Sequence, residues 1–198
     1  MTATVPTVAE KQLSYEEYLE EYRTEPPSRQ PCFILDGVKI MPPAPRPIHQ
    51  IIIHRLELLF GDFERSEDTI RVIPAPVDVL ISRAPLRTRQ PDLLLMSADR
   101  YLQSGVPDME GPITVAPELV VEVLSPSETL RSINEKIADF QFIGVQECWL
   151  VSIEAGTVEI LVLTADERRS VALYGRGQEA RSLVFPDLTL SVTRVFER

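Results

Sequence analysis

Cysteine is scarce in this chain of 198 residues: there are two, Cys32 and Cys148, far apart and outside any CxxC spacing. Histidine is equally rare, with two in the chain, so nothing suggests a structural metal held by sulfur and imidazole. Cys148 lies in an apolar run, where a buried free thiol is the ordinary reading. No apolar run approaches the ~18 residues that a membrane span needs. The opening "MTATVPTVAEKQ" has neither a basic n-region nor an apolar h-region, so no secretory signal is read there. These absences predict a cytoplasmic protein in a reducing compartment.

Positive charge is also in short supply. Twenty Lys and Arg against 30 Asp and Glu leave a net charge of −10 and an isoelectric point near 4.8. Phosphate binding is dominated by cationic contacts, so this balance argues against a broad, non-specific nucleic-acid surface. It leaves room for a local basic groove, or for a divalent metal that bridges protein and phosphate. Of the twenty, only Lys11, Lys39 and Lys136 are lysines; the rest are arginines.

What is present is the material of a soluble globular fold, 44% hydrophobic and 25% charged. The length fits one domain and suffices to bury a core without disulfides or zinc. The expected organisation is a flexible N-terminal segment over residues 1–12 and a single domain over residues 13–198. "LSYEEYLEEY" carries Ser14 and Glu17 at capping-box spacing and reads as a helix. "FILDGVKI" is a hairpin about Asp36-Gly37. "IHQIIIHRLELLFGDF" reads as a helix apolar round much of its circumference, hence sandwiched in a core. "APVDVLIS", "QPDLLLMS" and "PELVVEVLS" read as strands, the first two joined by the loop "RAPLRTR". "SETLRSINEKIADFQFIG" is a helix closed by Gly144. "ECWLVSI", "TVEILVL" and further strands in the tail follow. A strand–helix–strand crossover in the middle predicts an α/β fold with a mixed sheet and flanking helices.

Three side chains could carry chemistry. In "PELVVEVLSPS", alternation sets Val120, Glu122 and Leu124 on one face and Val121 and Val123 on the other, with both faces reading as buried. An ionised Glu122 there costs several kcal/mol unless paired, protonated or metal-bound, and a structural salt bridge to an arginine would serve as well as a metal. Asp92 heads an apolar strand directly after Pro91, a position where turn chemistry is the ordinary explanation. Lys136 lies on or beside the face formed by Ile133, Ile137 and Phe140, where a lysine often snorkels. A compact ammonium with a shiftable pKa is also the base suited to handling a proton. Two carboxylates on adjacent strands and an amine from the next helix together suit a hard divalent ion, Mg²⁺ or Mn²⁺.

"QPDLLLMS", then "PELVVEVLSPS" with Glu122 30 residues after Asp92, then "NEKIADFQFIGVQECWLV", closely resembles the PD-(D/E)XK nuclease superfamily. Within it the chain resembles the restriction-endonuclease-like Uma-two family over roughly residues 10 to 195. The resemblance implies a restriction-endonuclease-like core with an N-terminal hairpin and extra C-terminal strands. It implies Mg²⁺-dependent hydrolysis of DNA phosphodiester bonds, with Asp92, Glu122 and the Val123 carbonyl on the metal. Where the superfamily's usual lysine would stand, the chain has Leu124; the family's displaced lysine corresponds to Lys136, which would orient or deprotonate water.

Softer signals surround these three. Asp78 could line the same site or partner an arginine. His49 stands where the family often has a histidine, while a polar residue at a helix start is the simpler reading. His49 and His54, ~140° apart around a helix, make a poor ligand pair. Arg83, Arg87 and Arg89 could touch phosphates from the loop before Asp92, or be merely solvated. Glu135 reads as half of a surface ion pair. A symmetric homodimer would let both DNA strands be cut. The competing readings are an inactive DNA- or protein-binding module on the same fold, and a hydrolase of other phosphoesters.

Overall fold

The computed structural model describes residues 12–24, 32–67, 69–104, 111–126 and 128–197. Residues 1–11, most of the segment expected to be flexible, lie outside them.

Local chemistry places the first elements. The Glu17 amide donates to Ser14 Oγ at 3.1 Å and the Ser14 amide to Glu17 Oε2 at 2.9 Å, so the capping box opens helix α1 (Tyr15–Thr24). Strands β1 (Phe33–Leu35) and β2 (Val38–Ile40) pair around Asp36 and Gly37, whose φ angles of 51° and 83° are those a type I′ turn demands. Helix α2 (Pro47–Ser66) starts with proline in its first turn, where the missing N–H costs nothing. Its buried face is Ile52, Ile53, Leu56 and Phe60, while Ile48, Ile51 and Leu58 are exposed. The helix is therefore covered on one side, not sandwiched as its composition suggested.

Strand β3 (Ile70–Pro74) was not anticipated; it pairs antiparallel with β6 (Leu93–Ser97). Strands β4 (Val79–Arg83) and β5 (Leu86–Arg89) make a separate hairpin, so the second half of the supposed loop "RAPLRTR" is strand. After the short helix α3 (Ala98–Gln103) come β7 (Leu119–Leu124), helix α4 (Leu130–Ile143), β8 (Glu147–Ser152), β9 (Thr157–Leu163) and β10 (Arg168–Tyr174). A small pair, β11 (Glu179–Arg181) and β12 (Thr189–Ser191), precedes the single turn α5 (Val192–Val195), which begins where the run read as strand ends.

The central sheet has six strands in the order β10-β9-β8-β7-β6-β3. Only β7 and β8 run parallel, and α4 is the crossover their connection requires. Thr129 caps α4 by accepting from the Ser132 amide, and Gly144, at φ 93°, closes it in the left-handed conformation that glycine adopts without strain. Pleat alternation sorts the core into two layers. Leu93, Leu95, Val121, Val123 and Trp149 face α2 and α5. Leu94, Met96, Val120 and Cys148 face Ile137 and Phe140 of α4 and Val79 and Ile81 of β4. The mixed sheet flanked by helices is the class expected. Among the described residues no helix is long and apolar enough to cross a membrane.

Candidate active site

The site forms where the β6–β7 ladder stops. Its last pairs are Leu94↔Val120 and Leu93↔Val121, so one more step of the same register would set Asp92 opposite Glu122. Proline at 91 cannot donate to a ladder, and β6 begins only at Leu93. Beyond Val121 the β6-facing groups of β7 therefore lack a strand partner, and side chains take its place. The Val123 amide donates to Asp92 Oδ2 at 2.7 Å. The Val123 carbonyl lies 2.9 Å from His49 Nε2, brought there by the first turn of α2. His49 Nε2 is also 3.6 Å from Asp92 Oδ2. A carbonyl can only accept, so this contact fixes the proton of a neutral ring on Nε2 and leaves Nδ1 bare.

Glu122 sits on the α4 face of β7, as alternation requires, and is 4% exposed. Its Oε2 accepts from Lys136 Nζ at 2.7 Å, while its Oε1 is buried with no hydrogen-bond partner. A buried lone pair without a donor is costly, and it marks where a cation would be favoured. Lys136 reaches back from α4 into the site and does not snorkel outward. Its Nζ is held by a second carboxylate, Glu128 Oε1, at 2.6 Å. Glu128 is fixed in turn by accepting from the Ser125 amide at 2.9 Å.

The electrostatics follow from burial in close company. Desolvation lifts the Glu122 carboxyl to about 7 against the pull of Lys136, with the Asp92 charge adding to the rise. Desolvation likewise lifts Asp92 to about 6, opposed by the Val123 N–H and by Lys136. Burial alone would lower the Lys136 ammonium, but Glu122 and Glu128 outweigh it and the net shift is upward. Burial lowers His49 despite its bond to the Val123 carbonyl, which keeps the ring neutral at pH 7.

Asp92, Glu122, Lys136, His49 and the Val123 carbonyl thus converge. Glu128 joins them and was not singled out in the sequence: it stands in an aperiodic turn, and its acidic character in "SPSETL" was the only signal. Asp78 does not join them. It is buried beside α1, accepting from the Tyr18 hydroxyl at 2.6 Å and the Gln90 amide at 2.8 Å, so neither site lining nor an arginine pair describes it. His54 is on the exposed side of α2 near Glu57, and Glu135 pairs with Arg131 at 3.0 Å on the surface of α4.

The three arginines before Asp92 also lie elsewhere. Arg89 is 4% exposed and donates to Asp139 Oδ2 at 2.6 Å; Arg87 donates to the same carboxylate at 2.9 Å. Both are on strand β5 and clamp α4 to the β4–β5 hairpin: Arg89 is an internal strut, while the partly exposed Arg87 is engaged by Asp139 and, at 3.3 Å, by Asp36. Arg83 stacks over the Tyr15 ring, 4.8 Å from its centroid.

Among the described residues no three His, Cys, Asp or Glu side chains stand close enough to cage an ion unaided. Two carboxylates, a backbone carbonyl and retained water suit Mg²⁺, which dehydrates reluctantly and is commonly bound through one or two carboxylates. The all-oxygen donor set and the orphaned Glu122 Oε1 fit such an ion.

A solved structure of an Anabaena variabilis protein, titled "a putative nuclease belonging to DUF820", superposes with a TM-score of 0.68, covering 90% of this chain and 97% of that one. At 19% identity the likeness is one of fold. No curated protein matches the sequence. The Uma2 family model, described as "Putative restriction endonuclease", matches residues 15–193, and with Asp92, Glu122 and Lys136 gathered inside that span the chain belongs to this family.

Proposed function

We propose that the chain is a Mg²⁺-dependent endonuclease, with Mn²⁺ as an alternative ion, that hydrolyses DNA phosphodiester bonds. The observation that carries this reading is the buried, unpartnered Glu122 Oε1 beside Asp92, in a chain whose family is described by nuclease activity. Charge supports a single ion. Asp92, Glu122 and Glu128 carry three negative charges when ionised, Lys136 one positive and His49 none, which leaves −2, the charge one divalent cation cancels.

When bound, the ion would polarise the phosphate and acidify its water. Asp92, Glu122 and the Val123 carbonyl would hold it. Lys136, gripped by two carboxylates, keeps its proton; its part is to place positive charge beside the scissile phosphate and orient water rather than to remove a proton. Asp92 is steadied by the Val123 N–H, and His49 steadies the carbonyl of the same residue. A homodimer would present two such sites, one for each strand.

Removing the cation by Lys136→Met should separate binding from chemistry. Metal affinity should rise because a competing charge is gone, while cleavage falls on the order of 10²-fold. Titration calorimetry with Mn²⁺ and a plasmid-nicking assay read the two effects. Equal loss of both would assign Lys136 to holding the site together.

pH provides the direct test of the metal reading. Asp92 and Glu122 have folded pKa values of about 6 and about 7, above their ordinary values of 3.8 and 4.5. The folded state then binds protons more tightly, so these groups stabilise the metal-free protein less as pH rises from about 4 to about 7. Metal competes with those protons. A saturable rise in melting temperature with Mn²⁺ should therefore be full at pH 8 and largely gone at pH 5. No rise at pH 8 with millimolar metal would leave a binding module on a nuclease fold.

A further inference from the structure

An open cleft of about 290 Å³ adjoins the site through His49, which lines it and whose Nε2 is 3.6 Å from Asp92 Oδ2. Ile48 of α2, Pro126 of the β7–α4 turn and Ile153 after β8 give it apolar walls, and Arg46 and Glu154 also line it. We propose that this cleft takes one unpaired nucleotide of the DNA strand being cut, which makes single-stranded or frayed DNA the preferred substrate. The position of the cut rests on the nuclease reading; occupancy of the cleft does not.

Size, wall chemistry and charge lead there. The volume is at the lower end of ligand pockets, roughly 300–1,000 Å³, enough for one nucleotide and too little for a stacked duplex. Apolar walls suit the faces of a base, which lose stacking partners when the base leaves a strand. Arg46 is exposed and makes no ion pair with any described residue, so its guanidinium is available to a backbone phosphate. Glu154 is an exposed carboxylate that repels phosphate but accepts from the N–H groups that every base carries on its pairing edge. Those edges are occupied in a duplex. A long duplex would also have to be held by cations along its backbone, whereas Arg87 and Arg89 are already paired with Asp139 and the chain carries −10 overall.

Fluorescence anisotropy with a dye-labelled twelve-residue thymidine oligomer, alone or paired with its deoxyadenosine complement, tests the proposal in EDTA and in Mg²⁺. The single strand should bind roughly tenfold tighter than the duplex or better. Ile153→Trp, which fills the cleft, and Arg46→Ala, an exposed change that leaves folding untouched, should each weaken single-strand binding roughly tenfold. Neither should alter the Mn²⁺-induced rise in melting temperature. Equal affinity for duplex, wild-type affinity in Arg46→Ala, or no binding of either oligomer overturns the proposal. Single-strand binding with these dependences but without any metal-induced stabilisation would keep the cleft and remove the metal centre. Metal stabilisation without such binding would do the reverse.

Discussion

Glu122→Gln is expected to abolish metal-dependent DNA cleavage, a loss on the order of 10³-fold or more, because it withdraws a charged ligand from a buried site. The shape of the side chain is kept and its amide oxygen can still accept from Lys136, so the fold should survive. Stability should even increase at pH 8. Desolvation disfavours the ionised Glu122, and a neutral isostere avoids that penalty while Lys136 retains Glu128 at 2.6 Å. The expected signature is thus a higher melting temperature in EDTA, no further rise with Mn²⁺, and no nicking of plasmid. Asp92→Ala should lose cleavage equally without unfolding the protein, though it also frees the Val123 amide and so forfeits some stability. Retained Mg²⁺-dependent cleavage in either variant would remove that carboxylate from the mechanism.

Asp139→Ala is expected to be the most damaging change outside the site. It strips one carboxylate from two arginines, of which Arg89 is 4% exposed and already has one buried nitrogen without a partner. Removing one member of a buried ionic cluster costs about 3–5 kcal/mol, since the remaining charge stays desolvated. In a chain of this size that lowers the melting temperature by roughly 10 °C. The exposed Arg131–Glu135 pair on the same helix is the internal comparison: Glu135→Ala should cost under about 0.5 kcal/mol. Equal effects from the two substitutions would mean that Arg89 reaches water after all. Because Asp139 lies one turn beyond Lys136, the clamp also sets where the amine is presented, and cleavage in Asp139→Ala should fall at temperatures where the variant is still folded.

The site was more legible in the sequence than the ground around it. Strand alternation put Glu122 on one face with Val120 and Leu124, the face that the fold turns to α4, and helical phase put Lys136 beside Ile137 and Phe140, because both patterns follow from backbone periods that any sequence must obey. The Asp36-Gly37 turn and the Ser14–Glu17 box were similarly local. Contacts that depend on distant partners were not legible. Arg87 and Arg89 read as loop residues that either touch phosphates or are solvated, since their carboxylate is 50 and more positions away, on a helix that had no apparent reason to meet them. Strand β3 has an alternation, Ile70 and Val72 about Arg71, but it is short and ends in proline, and it gave way to the more obvious run that follows. Glu128 belongs to no period at all; it matters because a turn folds it over an ammonium eight residues further on.

The crossover that links β7 to β8 has a bearing on how this protein can change over generations. One rotation angle of α4 serves two masters: it points Ile137 and Phe140 at the sheet and the amine at Glu122. An insertion or deletion within α4 ahead of Lys136 would swing both by ~100° per residue relative to the first turn, so a slipped helix could not survive with its interior intact. Descendants that fall silent should consequently keep an undistorted backbone and differ by simple replacement at positions 92, 122 or 136.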